Sequence, residues 1–162
     1  MVVALVVLAR LLAPAFSGSD SVPPTYPAQG VLEARLVRVV DGDTIIVQVK
    51  DGAEERVRYE GIDAPETVKP GSPVEPFGPE AAEANAELLS AGTLRLELDV
   101  RQRDRFGRLL AYVFAGELFV NEELVRQGYA HLSTFPPNVR YADRLQEAQR
   151  QAREKGAGLW AD

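Results

Sequence analysis

The chain contains no cysteine. That absence excludes a disulfide framework, a thiolate metal site and a cysteine nucleophile. Histidine occurs once, as His131, so a paired-histidine acid–base mechanism within one chain is excluded as well. Positive charge is in deficit: 18 Lys and Arg face 24 Asp and Glu, for a formal net charge of -6. A general nucleic-acid binder shows a basic footprint, and the overall charge speaks against one. Net charge describes only the far field, however, and a site works through its local charges. Any hydrolytic chemistry must therefore run on carboxylates, arginines, hydroxyls or a bound metal.

Long apolar runs are also lacking. The most apolar stretch, MVVALVVLARLL at residues 1–12, is too short to span a bilayer but suits the apolar region of a secretory signal. Ala13-Pro14-Ala15 follows as a small-residue cleavage pattern. Residues 1–15 are read as a signal peptide or N-terminal anchor, the only segment expected to touch a membrane, and the protein as exported. Residues 16–30 are rich in Ser, Pro and Gly and read as a flexible linker. That leaves residues 31–162 for one domain, long enough for a hydrophobic core.

Within that domain β-type patterns come first. LEARLVRVV, TIIVQVK and ERVRYEGI are separated by Asp41-Gly42 and Asp51-Gly52, which predicts a three-stranded meander with tight turns. A Pro-rich loop then leads to GPEAAEANAELLSAG, a helix with Pro79 in its first turn and Gly92 at its C-terminal cap. TLRLELD and RLLAYVFA predict two further strands. VNEELVRQG predicts a short helix capped by Asn121 and stopped by Gly128, and a last helix is expected from about Val139 to Lys155. Five short strands and about three helices predict a small closed β-barrel with helices, of which the five-stranded OB-fold is one type.

Two constellations carry chemistry. The first is acidic: Asp43 after the first strand, then Asp63 and Glu66 in GIDAPE. If the first and third strands are neighbours, Asp43 and Asp63 approach one another. Two carboxylates, a backbone carbonyl and water make an oxygen site for a hard cation such as Ca²⁺, weakly held because only two ligands are charged. Taken singly, each aspartate is ordinary turn chemistry. The second is basic: RQRDRFGR sets Arg101, Arg103, Arg105 and Arg108 within one short stretch, opposed only by Asp104. Guanidinium forks match phosphate oxygens, and Phe106 among them offers a stacking surface. Arg58 adds a candidate from the third strand, on the face opposite Val57 and Tyr59. His131 reads as structural or surface, and Trp160 as packing the C-terminus onto the domain.

Taken together, VVDGDTIIV, VRYEGIDAPE, FGPEAAEAN, RDRFGRLLAYVF, VNEELVRQGYA and the terminal GLW resemble the staphylococcal nuclease (thermonuclease) family in order and spacing. The resemblance covers about Leu32 to Trp160. It implies an OB-fold barrel with Ca²⁺-dependent phosphodiesterase activity on DNA and RNA, leaving 3′-phosphate ends. By that resemblance Asp43 and Asp63 are the Ca²⁺ carboxylates, the backbone carbonyl of Ala64 a third ligand, and Asp41 an acid supporting the metal shell. Glu66 matches the general base or water-orienting group, and Arg58 and Arg108 the pair that binds the scissile phosphate. Arg105 and Phe106 stand where the family often has Lys-Tyr and are candidate substrate contacts. The family's stacking tyrosines fall in HLSTFPPN, where Phe135 is the sole aromatic. The expected partner is nucleic acid as substrate, with a monomer and no stable protein partner. A catalytically silent module would be expected to lose some of Arg58, Glu66, Arg108 and the two aspartates; all five are present.

Overall fold

The computed structural model describes residues 24–50, 52–67, 71, 73–90 and 92–161. The proposed signal or anchor segment, the first part of the linker and Asp51 of the second Asp-Gly pair lie outside the described residues. Among the described residues, no helix is long and apolar enough to cross a membrane.

Strand β1 (Val31–Asp41) pairs antiparallel with β2 (Thr44–Val49), and β2 with β3 (Glu54–Tyr59), which is the expected meander. A short β4 (Ile62–Asp63) follows, then helix α1 (Gly78–Leu88) and strands β5 (Thr93–Glu97) and β6 (Leu109–Ala115). β5 pairs antiparallel with both β1 and β6. β6 then closes on β3 in parallel, with Val57 opposite Leu109. The result is a closed five-stranded mixed barrel of the OB type. Two register shifts in β1, between Leu36 and Arg38 and between Val39 and Asp41, bend that long strand around the barrel.

Alternation along the strands fills the interior. Ile45, Val47, Val57, Tyr59, Leu94, Leu96, Leu109, Ala111 and Val113 are all essentially inaccessible to solvent. On the other face of β6, Tyr112 and Phe114 are covered by Phe119 of β7 (Leu118–Phe119) and by Tyr141, with ring centroids 4.6–6.1 Å apart. Helix α2 (Val120–Arg126) packs on α3 (Ala142–Lys155), and β8 (His131–Leu132) between them pairs with β4.

Three local expectations are corrected. α1 ends at Leu88 with Leu89 as its cap, and Gly92, at φ 76°, turns the chain into β5 instead of capping the helix. α3 begins at Ala142, preceded by a turn in which the Ala142 N–H donates to the Val139 carbonyl. Asn121 is not an N-cap: the chain runs from β7 straight into α2, so Phe119 holds that position. Asn121 is instead fully buried, accepting from the Val113 N–H at 2.9 Å and donating to the Glu60 carbonyl at 2.9 Å. A buried amide is tolerated because both ends are bonded.

Candidate active site

The acidic half of the site is built at the turn between β1 and β2. Asp41 pairs with Thr44, leaving Gly42 and Asp43 as a two-residue loop. A Cβ on Gly42 would lie 2.7 Å from the Ala64 Cβ and 2.8 Å from the Ala81 Cβ. Glycine is needed there for close approach to the Ile62–Pro65 segment and to α1. Asp41 is buried and spends its Oδ1 on the Asp43 N–H at 3.1 Å, while its carbonyl accepts from Asn85 at 3.0 Å.

Asp43 is also buried. Its Oδ1 accepts from the Thr44 hydroxyl at 3.1 Å and its Oδ2 from the Ala64 N–H at 2.7 Å. The condition that β1 and β3 be neighbours is not met, because β2 lies between them. Asp43 and Asp63 come together by another route. Thr44 is paired with Arg58, the Tyr59 N–H donates to the Asp43 carbonyl at 2.8 Å, and Ala64 closes on the Asp43 side chain.

Arg58 spans the two carboxylates. Its Nη2 lies 3.1 Å from Asp43 Oδ2 and 2.7 Å from Asp63 Oδ1, while Nη1 donates to the carbonyls of Tyr59 at 2.7 Å and Ile62 at 2.8 Å. Asp63 keeps 64% of its side chain exposed, against 6% for Asp43. Burial pushes the Asp43 carboxyl up to about 7, with the charges of Asp41 and Asp63 adding to it and Arg58 and the Ala64 N–H opposing. Because this folded-state value is raised from 3.8, its contribution to stability is full at low pH and is lost as pH rises toward about 7. In chelator, the urea midpoint is therefore expected to fall between about pH 4 and pH 7, and Asp43→Asn to flatten that slope. An identical slope in both proteins would contradict the assignment.

The cluster fits a hard cation in one respect and is lean in another. All its donors are oxygens, and a positive group already bridges the carboxylate pair. Among the described residues, however, no three His, Cys, Asp or Glu side chains form a metal-holding group. A cation there depends on Asp43, Asp63, backbone carbonyl oxygen and water.

Glu66 lies three residues beyond Asp63. Its N–H donates to Glu75 Oε2 at 3.1 Å, and its carbonyl accepts from the Glu75 N–H at 2.9 Å. That exchange fixes the backbone just ahead of α1, while the Glu66 side chain is half-buried. Among the described residues its carboxylate takes up no hydrogen bond or ion pair.

The basic half is an open groove of about 830 Å³, lined on one side by Arg58, Arg105, Phe106 and Arg108 and on the other by Phe135 and Asn138. Arg58 comes from β3, and the loop between β5 and β6 carries Arg105 and Arg108. Asp104 organises it: Oδ1 accepts the N–H groups of Phe106 at 2.9 Å and Arg108 at 3.0 Å, and Oδ2 accepts Arg108 Nε at 2.6 Å. Gly107, at φ 80°, supplies the left-handed residue that this turn requires. Phe106 is 68% exposed, with the Arg105 guanidinium 4.7 Å and that of Arg108 5.6 Å from its ring centroid.

The four arginines of RQRDRFGR do not act as one patch. Arg101 and Arg105 have no acidic partner among the described residues, Arg108 is paired to Asp104, and Arg103, also at the groove wall, is paired to Glu55 at 2.7 Å. The opposite wall was largely missed from sequence. Pairing of β4 with β8 carries Phe135, 67% exposed, across the groove, and Asn138 ties that wall to Arg101 and to Glu60. Asn138 and the buried Glu60 carry no local signal, because only the closed barrel brings them together. His131, exposed on β8 and opposite Asp63 of β4, rests edge-on against Trp160 with centroids 5.0 Å apart.

These features define an OB-type barrel with an arginine-lined groove beside a buried carboxylate pair. The profile of the family described as Staphylococcal nuclease homologue matches residues 56–162. The chain is 43% identical over 128 residues to the thermonuclease of Staphylococcus hyicus, covering 79% of this chain and 75% of that protein. It is 44% identical over 129 residues to the thermonuclease of Staphylococcus intermedius, covering 79% and 76%. With endonuclease YncB of Bacillus subtilis (strain 168) it shares 38% identity over 141 residues, covering 86% of this chain and 66% of that protein. The chain belongs to the staphylococcal nuclease homologue family.

Proposed function

We propose that this nuclease is a Ca²⁺-dependent phosphodiesterase acting on DNA and RNA and leaving 3′-phosphate ends. The observation that carries the reading is the double position of Arg58, which bridges Asp43 and Asp63 and lines the groove that also holds Arg108. Asp43, Asp63 and the Ala64 carbonyl would hold the cation, with Asp41 fixing the Asp43 backbone. When bound, Ca²⁺ supplies Lewis-acid stabilisation of a phosphoryl oxygen.

The remaining chemistry belongs to the chain. A phosphodiester is anionic and gains negative charge on its equatorial oxygens during in-line attack. Arg58 and Arg108 supply fixed guanidinium donors for that charge, which are worth most where the reacting group is shielded from water. Arg58 is held to Asp63 at an exposed position, so it can exchange that carboxylate for a phosphate oxygen at little cost. Glu66 aligns a water and takes its proton as the new P–O bond forms. The P–O5′ bond breaks, the 5′ oxygen gains a proton, and the phosphate stays on the 3′ side. Arg105, Phe106 and Phe135 hold the flanking nucleotide by charge and stacking.

Calorimetric titration tests the cation site. Half-saturation by Ca²⁺ is expected at about 10⁻⁴–10⁻³ M, as befits a site with two carboxylates, and Asp63→Asn should weaken it at least about tenfold. Equal affinity in the two proteins would remove Asp63 from the site.

A further inference from the structure

We propose that Glu55, Arg103 and Tyr26 form a clasp that positions the arginine loop 104–108 against Arg58, making them positioning residues for phosphate binding. The inference rests on the reading of Arg58 and Arg108 as the phosphate-binding pair. The loop's own turn is self-contained, since Asp104 bonds its backbone and Arg108. Strand pairing already brings the base of the turn to β3, with Leu109 opposite Val57 and Leu110 opposite Arg58, so what remains to be fixed from outside is the orientation of the turn on those strands.

Arg103 fixes that orientation. Its Nη2 lies 2.7 Å from Glu55 Oε1 and its Nη1 2.9 Å from Glu55 Oε2, a bidentate fork with only 17% of the Arg103 side chain and 7% of the Glu55 side chain exposed. Glu55 sits on β3 three residues before Arg58, so loop and phosphate arginine share one rigid strand. Nη1 also donates to the Gly107 carbonyl at 2.9 Å, bracing the far side of the turn next to Arg108. Planar two-point contact fixes direction as well as distance, which a lysine cannot do.

The chain ahead of the barrel completes the clasp. The Tyr26 hydroxyl donates to Glu55 Oε1 at 2.9 Å, and Arg103 Nη2 donates to the Pro24 carbonyl at 2.7 Å. Gln102 Nε2 donates to the carbonyls of Tyr26 at 2.7 Å and Pro27 at 3.1 Å. Burial and the Glu55 hydrogen bond push the Tyr26 phenol up to about 12, so it stays a neutral donor. The last described residues of the Ser/Pro/Gly stretch are thus tied to the barrel, at the base of the loop that lines the groove.

The test is a double-mutant cycle in the full chain, with kcat and KM measured on a short oligonucleotide. Glu55→Gln is expected to lower kcat about 10–100-fold, the scale of a misplaced binding group. In the Arg108→Ala background the same change should cost less than about threefold, because its target is already gone. Equal losses in both backgrounds would make the clasp merely structural and overturn the proposal. Should Glu55→Gln fail to fold, Arg103→Lys and Tyr26→Phe decide: lowered kcat with near-constant KM supports the clasp, and wild-type kcat in both overturns it. Wild-type protein cleaving normally beside an unaffected variant refutes the clasp alone. A wild-type protein that does not cleave refutes the nuclease reading beneath it.

Discussion

Replacing Arg108 with alanine is expected to lower kcat about 10³-fold while leaving the protein folded, the range seen when one preorganised donor or arginine is removed from a charged transition state. Folding should be spared for a specific reason. Asp104 Oδ1 organises the loop through the backbone N–H groups of Phe106 and Arg108, and both survive the substitution. What is lost is the pairing of Arg108 Nε with Asp104 Oδ2, in side chains 23% and 18% exposed. Loss of that partly exposed pair should cost about 1 kcal/mol or less. Steady-state kinetics beside a urea melt separate the two effects. A loss below about tenfold in kcat would make Arg108 an ordinary surface charge and remove it from the phosphate site.

Glu66→Gln is the second large effect, an expected loss of about 10²–10⁴ in kcat, the usual contribution of a positioned acid or base. The substitution is nearly isosteric, and the hydrogen bonds that fix Glu66 use its backbone. Stability should therefore shift by no more than about 0.5 kcal/mol. Other carboxylates near the turn are already engaged: Asp41 by the Asp43 N–H, Asp43 by Thr44, Ala64 and Arg58, and Asp63 by Arg58. Glu66 alone among them has no bonded partner among the described residues, which suits a group that must hold a water. A variant that turns over at near wild-type rate would remove it from the mechanism.

Much of the barrel was legible because its signals are local. Thr44–Val49 reads as a strand from its run of β-branched residues, and the adjacent Asp-Gly pair reads as a turn from dipeptide chemistry. The reason for Gly42 was not legible. Its neighbours Ala64 and Ala81 lie far along the chain, and only the folded approach shows that a side chain has no room. Asn121 misleads in the same way. Asparagine before two glutamates looks like a cap, but β7 delivers the chain directly into the helix and turns that amide inward.

The site was legible as residue types and only partly as geometry. Asp43, Asp63, Arg58 and the arginine loop stand out in sequence, yet the expected route for bringing the aspartates together was wrong. It assumed adjacent first and third strands, whereas the contact is made across β2 and β3. Arg103 was grouped with the phosphate arginines because its partner, Glu55, is 48 residues away. Only closure of β6 on β3 joins them, and a parallel pairing of that kind leaves no local pattern to read. The acidic net charge hid one more feature: among the described residues, the groove's Arg101 and Arg105 have no acidic partner, whereas most other arginines are matched to acids.

The central claim, metal-dependent hydrolysis of nucleic acid at this groove, is tested most directly by one digestion series. Single-stranded DNA, duplex DNA and RNA are incubated with the full chain in Ca²⁺, Mg²⁺ or EGTA, and the product ends are analysed. Cleavage of DNA and RNA in Ca²⁺, none in EGTA, and products ending in 3′-phosphate with 5′-hydroxyl is the predicted result. Undiminished cleavage in EGTA, or products carrying 5′-phosphate, would contradict it.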